Sequence, residues 1–464
     1  MAVHPSEPSL AVPADPPGPP GGTPRRAWLI TALIVVFMVI NHADKAVLGL
    51  AAVPLMAELD IGRSTYGLVA GSFYLLFSLS GLVVGFFSAR ISTRGILFTL
   101  TMLWAVAQLP VLLVAAVPTL VAGRVLLGAA EGPAAAMSMH ALYKWFPADR
   151  RGLPSALHIS GAALGTLLAA PFLTWLISDF GWRAAFGALA VLSLGWGLVW
   201  LRTGHEGPFG EDGRRAAAGA GTERAGRKRW TRRARQSDGA ALPHPKALPY
   251  RKVLLTGTVL GGICSAFAAQ WALALASAWL PAYLRTQAGM GAAHVGLMVS
   301  GISALSFVLL LTVSPFTDRL KTRGASSRAA SGVPQGVAVL VAACALAAVP
   351  FAGPGPAQLV LLAVGFGCHA VALPLHYVTT AEVVPARQRG AVFGIVAATG
   401  TLPGLIVPYL TGRLLDGAAS ESAGYTQAFL LTAAVMAACG ALALATIRPE
   451  RDAARLELPG ALAR

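Results

Sequence analysis

Charge is scarce in this chain. Asp, Glu, Lys and Arg together make up 12% of its 464 residues, about half the ~25% of a soluble globular protein. That deficit excludes an ordinary cytosolic enzyme. Cysteine is scarcer still: Cys264, Cys344, Cys368 and Cys439 lie far apart in apolar runs. No CxxC pair, zinc spacing or disulfide framework can be assembled from them, and no metal site is expected. They suit the role of small buried hydrophobes. No P-loop, GxSxG or HExxH occurs, so an enzyme or an ATP-driven pump has no visible chemistry. No cofactor is expected. Asparagine occurs once, as Asn41, and lysine six times against 30 arginines.

What is abundant is apolar. Hydrophobic residues reach 55% and mean hydropathy is +0.65. A membrane-spanning helix needs about 20 mainly apolar residues. Twelve runs qualify: 27–57, 66–88, 96–117, 119–143, 153–177, 183–201, 253–284, 294–317, 332–351, 358–380, 391–415 and 426–447. The first and seventh are long enough to tilt or to extend beyond the bilayer. The fold class is therefore an all-α membrane protein with twelve transmembrane helices.

The formal net charge of +16 would point to nucleic acid if it covered a soluble surface, but its distribution is one-sided. Even-numbered connections, the central connection and the termini hold 30 Lys and Arg, whereas the odd-numbered connections hold only Arg63, Arg183, Arg285 and Arg413. The positive-inside rule then places both termini in the cytoplasm. Residues 1–26, with eight prolines, lack the apolar core of a signal peptide and are expected to form a disordered tail. The segment 202–252 carries 13 Lys and Arg against five Asp and Glu and is expected to be a solvated basic linker. It separates a 27–201 half from a 253–447 half, and 448–464 forms a cytoplasmic tail. No nucleic-acid partner is expected.

The two halves repeat. GFFSARISTRG (85–95) matches SPFTDRLKTRG (314–324), and PADRRG (147–152) matches PARQRG (385–390), at offsets of 229 and 238. Each pair follows spans six apart and on the same side. This predicts two six-helix halves related by a pseudo-two-fold repeat.

These loops resemble the signature of the major facilitator superfamily. More narrowly, NHADKAVLGLAAVP (41–54), RVLLGAAEGP (124–133), KWFPADRRG (144–152) and GWRAAF (181–186) resemble the anion:cation symporter branch. The resemblance implies a secondary transporter of the inner membrane, monomeric, with a small organic carboxylate as substrate. It also implies a cytoplasmic latch formed by Arg90, Arg94, Asp318 and Arg319. The usual acid of the first loop is replaced by Ala89, which leaves that latch lopsided. Alternatively, these basic residues mark topology alone.

An ionisable group within a span costs about 2.5–3.5 kcal/mol or more and is a functional candidate by default. Four stand out: Asp44 and Lys45 in the first span, Arg124 and Glu131 in the fourth. Arg124 and Glu131 are seven residues apart and share a helix face. Asn41 lies one turn before Lys45. When all four are ionised their charges sum to zero. Protonating a carboxylate would free positive charge for an anion in a low-dielectric cavity, coupling proton to substrate.

The resemblance gives the same roles: Asp44 and Glu131 as proton-binding acids, Lys45 and Arg124 as anion-facing bases. Hydroxyl-binding residues common in hexonate carriers are replaced by Phe77, Ala397 and Thr401, which favours a less hydroxylated carboxylate. The alternative for the four charges is an ion-pair network joining two helices, although such pairs seldom improve on apolar packing.

His369 stands at the repeat position of Glu131, with His376 seven residues further on. One of the two is a candidate cavity residue; a histidine bonded to nearby backbone is the alternative. His42, His140 and His158 fit that second role better. Trp271 and Trp279 are candidates for stacking on a substrate, or for helix packing. The expected function is proton-driven symport of a small organic anion. A proton-coupled exporter of organic acids or drugs, and a transporter-like ligand sensor, are the rivals.

Overall fold

The computed structural model describes residues 24–87, 91–146, 150–209, 248–385 and 388–457. These residues form helices and no strand. Twelve helices are long and apolar enough to cross a membrane and are numbered here as spans 1–12. They are Arg25–Leu50, Arg63–Gly85, Thr93–Leu113, Val117–Tyr143, Leu153–Phe180, Trp182–Thr203, Gly257–Thr286, Ala292–Thr322, Arg328–Phe351, Pro356–Val383, Ala391–Gly417 and Glu421–Thr446. The proline-rich tail and most of the basic linker lie outside the described residues.

Span 1 ends sooner than its apolar run. Pro54 offers no N–H to the carbonyl of Leu50, so the helix breaks there and a short helix, Ala52–Leu59, continues the chain to the left-handed Asp60. Large apolar side chains such as Leu79, Leu168, Val191 and Leu297 cover the outer surface. In water such a surface would drive aggregation; against lipid chains it is the expected covering.

The buried core divides in a way that defines the molecule's shape. One cluster contains residues of both halves, among them Leu48, Tyr66, Leu173, Trp279 and Val407. All lie toward the ends of the spans remote from the termini. A second cluster, with Phe37, Trp104 and Trp200, belongs to the first half alone. A third, with Val259, Val383 and Val392, belongs to the second. Both of these lie toward the termini. The halves are therefore joined at the far end and packed separately at the near end.

Close backbone approach makes the far-end seam. A Cβ added at Gly49 would overlap the Ser277 carbonyl, and one at Gly67 would overlap that of Pro408, so spans 1 and 7 and spans 2 and 11 touch directly. Ser300 donates to the Leu167 carbonyl at 2.7 Å, joining spans 8 and 5. Polar contacts finish the seam: Arg63 pairs with Glu421 at 3.0 Å, and Asp416 accepts from the first backbone N–H groups of span 2.

At the near end, each half carries its own tie. Glu206, just beyond span 6, accepts from Arg94 N and Thr93 Oγ1 and pairs with Lys144. The tail beyond span 12 forms a helix, Pro449–Arg455, in which Asp452 accepts from Thr258 N at 2.8 Å and Glu450 from Arg328 N at 3.2 Å.

Candidate functional site: a central cavity beside buried charges

Between the halves lies a cavity of about 420 Å³. Spans 1, 2, 5, 7, 8 and 10 supply its wall. Helices in this wall and just behind it are interrupted, and each interruption has a cause in the sequence. In span 4 the α-helix runs from Val117 to Glu131 and resumes at Ala134. Pro133 has no N–H for the Ala129 carbonyl. A Cβ at Gly128 or Gly132 would overlap the carbonyls of Phe73 or Phe77, so span 2 lies directly on this break. In span 10, His369 begins a 3-10 turn, His369–Val371, where Pro374 offers no N–H to Ala370. Glu131 and His369 thus occupy equivalent positions of the two halves, each at a helix interruption.

The four charges expected from the sequence converge, but not as one network. Lys45 Nζ lies 3.1 Å from Glu131 Oε2 and donates to Asn41 Oδ1 at 2.7 Å. Its ammonium is 5.5 Å from the centre of the Phe77 ring. Asp44, one residue earlier on the same helix, faces elsewhere. It is fully buried, and its Oδ1 accepts from Gln108 Nε2 of span 3 at 2.9 Å. Its Oδ2 has no hydrogen-bond partner among the described residues. Arg124 forms no ion pair with Asp44: its guanidinium reaches the Asp44 backbone carbonyl at 3.4 Å and lies 4.8 Å over the Phe73 ring. The 100° step between successive helical residues accounts for the split, since it sends Asp44 to span 3 and Lys45 to span 4.

Lys45 is the only residue with a full charge on the cavity wall among the described residues. Arg124 lines a separate crevice of about 20 Å³, shared with Lys45, Tyr66 and Tyr74. His369 is on the cavity wall. His376 is not: it is buried, with Nδ1 3.3 Å from the Ala372 carbonyl and its ring against Tyr377. Trp271 and Trp279 also lie off the wall. The first donates to Thr432 Oγ1 at 3.1 Å and the second to the Pro408 carbonyl at 3.0 Å, so both serve helix packing.

Arg94 is tied within its own half, donating to the Leu201 carbonyl. Asp318 and Arg319 are exposed at the near end of span 8. Arg90 lies outside the described residues, so the expected latch is seen only in part.

Three further wall or support residues, Gln108, Gln270 and Tyr74, carry no full charge to mark them in the sequence. A carboxamide within a span carries the same logic as a charge at lower cost, since an unpaired polar group in an apolar setting is unfavourable. Gln270, half-buried on the wall, has no hydrogen-bond partner among the described residues. His42 bonds to local backbone as expected, with Nδ1 3.0 Å from the Met38 carbonyl, and its ring also reaches the wall.

A profile of the Major Facilitator Superfamily matches residues 34–408. The chain belongs to that superfamily. It is a multi-pass membrane transporter, not an enzyme. It is 25% identical over 85% of its length to a probable chloroplastic anion transporter of Arabidopsis thaliana, covering 74% of that protein. It is 24% identical over 89% of its length to the hexuronate transporter of Bacillus subtilis, covering 92%. Among solved structures it is similar in fold to a bacterial homologue of the human lysosomal transporter Spinster in an inward-facing, unoccupied conformation. The TM-score there is 0.73 at 15% identity, over 92% of this chain and 98% of that one. Relatives named for anions fit the branch that the sequence motifs resemble.

Proposed function

We propose that this protein is a proton-coupled symporter that takes up a small organic anion by alternating access, with Glu131 and Asp44 binding the proton and Lys45 the anion. The observation that carries the reading is the position of Lys45. The one full charge on the cavity wall among the described residues is neutralised by Glu131, which sits behind it with no other cation of those residues in hydrogen-bonding range. Protonating Glu131 cancels that pairing and leaves an ammonium facing the cavity. Proton and anion then raise each other's affinity, and linkage makes the effect reciprocal. Asp44 is a second buried carboxylate, supported by Gln108. Arg124, held over Phe73 without a carboxylate partner, becomes an anion ligand only when the crevice around it opens.

Relatives named as anion and hexuronate transporters support an anionic cargo. The excess of Lys and Arg on the side of the termini supports a cytoplasmic location for both termini in a bacterial inner membrane. In that orientation the conformation described above, joined at the far end, is inward-facing. The protein acts as a monomer, and no cofactor takes part beyond the coupling proton.

Purified protein in proteoliposomes, screened against a panel of organic acids with an imposed inward proton gradient, tests the reading. Accumulation that collapses with an uncoupler is expected. Accumulation that rises when the gradient is dissipated would make the protein an exporter, and saturable binding without uptake would make it a sensor.

A further inference from the structure

The walls of the cavity carry information about the anion's body as well as its charge. We infer that the transported anion is a monocarboxylate with an apolar body, aromatic or branched aliphatic, rather than a polyhydroxylated acid or a dicarboxylate. The inference rests on the anion reading above.

Charge sets the first limit. Two of the three N–H groups of Lys45 are directed to Asn41 and Glu131, and Arg124 opens only onto the adjoining crevice. Among the described residues the wall therefore meets one carboxylate and has no lysine or arginine for a second.

Hydrogen bonding sets the next limit. Four aliphatic hydroxyl side chains line the cavity, Thr166 and three serines, of which Ser277 donates to the Ala274 carbonyl, Ser303 to that of Val299 and Ser306 to those of Ile302 and Gly367. The serine protons are engaged with backbone carbonyls, so the serines offer acceptors alone. A sugar acid brings four or five hydroxyls, each needing a partner once dehydrated. Each one left unpaired weakens binding roughly ten-fold.

The remaining wall is apolar. Leu50, Leu273, Leu280, Val299, Ile302 and Phe366 line the cavity, and Phe77 flanks Lys45. The polar side chains of the wall are Lys45, His42, Tyr74, Thr166, Gln270 and His369, with the three serines. A mainly apolar wall that presents one ammonium fits an amphipathic acid, and about 420 Å³ suits a single-ring ligand.

Competition binding on the purified full-length protein tests this. Radiolabelled phenylacetate and 4-methylvalerate would be compared with glucuronate, galactonate and succinate. The two apolar acids are expected to bind at least ten-fold more tightly than the other three. Leu273→Ser should weaken phenylacetate at least five-fold while Leu273→Met retains it, with the monodisperse elution of each variant showing that it folds. Lys45→Ala should abolish binding of both apolar acids. Tighter binding of glucuronate, galactonate or succinate would overturn the inference and leave the anion reading standing. Phenylacetate binding unchanged in Lys45→Ala would overturn it too, since the acid would then be held by apolar contact alone. Failure of every acid to bind would remove the anion reading and the inference with it.

Discussion

Asp416, at the far end of span 11, caps a helix of the other half: its carboxylate oxygens lie 2.9 Å from Ser64 N and 3.3 Å from Arg63 N, the first free N–H groups of span 2. An anion at a helix N-terminus satisfies orphan donors and complements the helix dipole. The cap comes from across the seam, so it exists only while the far end is closed. Asp416 thereby ties local helix stability to a global conformation.

Asp416→Ala should shift the population toward the far-open state. The cap is exposed, so its loss is worth about 1 kcal/mol, a roughly five-fold change in the equilibrium. Spin-label distances across the far end would report the change. An unaltered distribution would show that the cap is incidental to the seam.

Gly49→Val and Gly67→Val test the seam more severely. Each places a side chain where the Ser277 or Pro408 carbonyl now sits. Both variants should fail to close the far end and lose at least nine-tenths of transport. Far-end cysteine labelling should rise in both. Full transport in either would mean that the two backbones do not need to touch.

Variants of Glu131 and Asp44 test whether coupling can be separated from binding. In Glu131→Gln the ammonium loses its fixed partner, so anion binding at neutral pH should hold or strengthen, while gradient-driven accumulation falls at least ten-fold. Counterflow should survive. Asp44→Asn should also lose accumulation. Accumulation retained in both variants would remove these acids from the mechanism.

Gln108 is a positioning residue. Gln108→Leu takes from Asp44 the one hydrogen bond its carboxylate receives, at a cost of about 1–3 kcal/mol for a buried group left unpaired. Lower thermal stability and weaker transport are expected. Partial rescue by Gln108→Asn would distinguish the lost bond from lost packing.

Glu206 lies outside the spans and predicts a pH effect. Burial acts to raise its pKa, but Lys144, the Arg94 N–H and Thr93 outweigh it and hold the carboxyl below its ordinary 4.5. A depressed value stabilises the fold fully above the unfolded pKa, and the contribution is lost as pH falls through the folded one. Glu206→Gln should therefore lower the melting temperature at pH 7, and its gap from wild type should narrow as pH falls below about 4.5. A gap constant from pH 7 to pH 3 would assign the effect to shape.

The architecture was legible because each span carries its evidence locally: a run of apolar residues, a basic connection, a repeated loop. Asp44, Lys45, Arg124 and Glu131 were legible for a related reason, since charge in an apolar run stands out against its surroundings. Trp271 and Trp279 could not be sorted the same way. An indole on a helix serves packing or a cavity equally well in one dimension, and here the N–H of each found a partner on a neighbouring span. Gln108 and Gln270 gave too faint a signal, because a neutral amide costs less to bury than a charge.

By itself the sequence determined twelve spans in two repeated halves, set an expectation for their sidedness through its distribution of Lys and Arg, and determined which polar residues the apolar interior must accommodate. The tertiary structure alone decided their partners: Lys45 with Glu131, Asp44 with Gln108, Arg124 apart over Phe73. Pairing depends on the rotation and mutual approach of helices far apart in the chain. Those are set by where glycines let backbones touch and prolines interrupt helices, and no local pattern encodes the result.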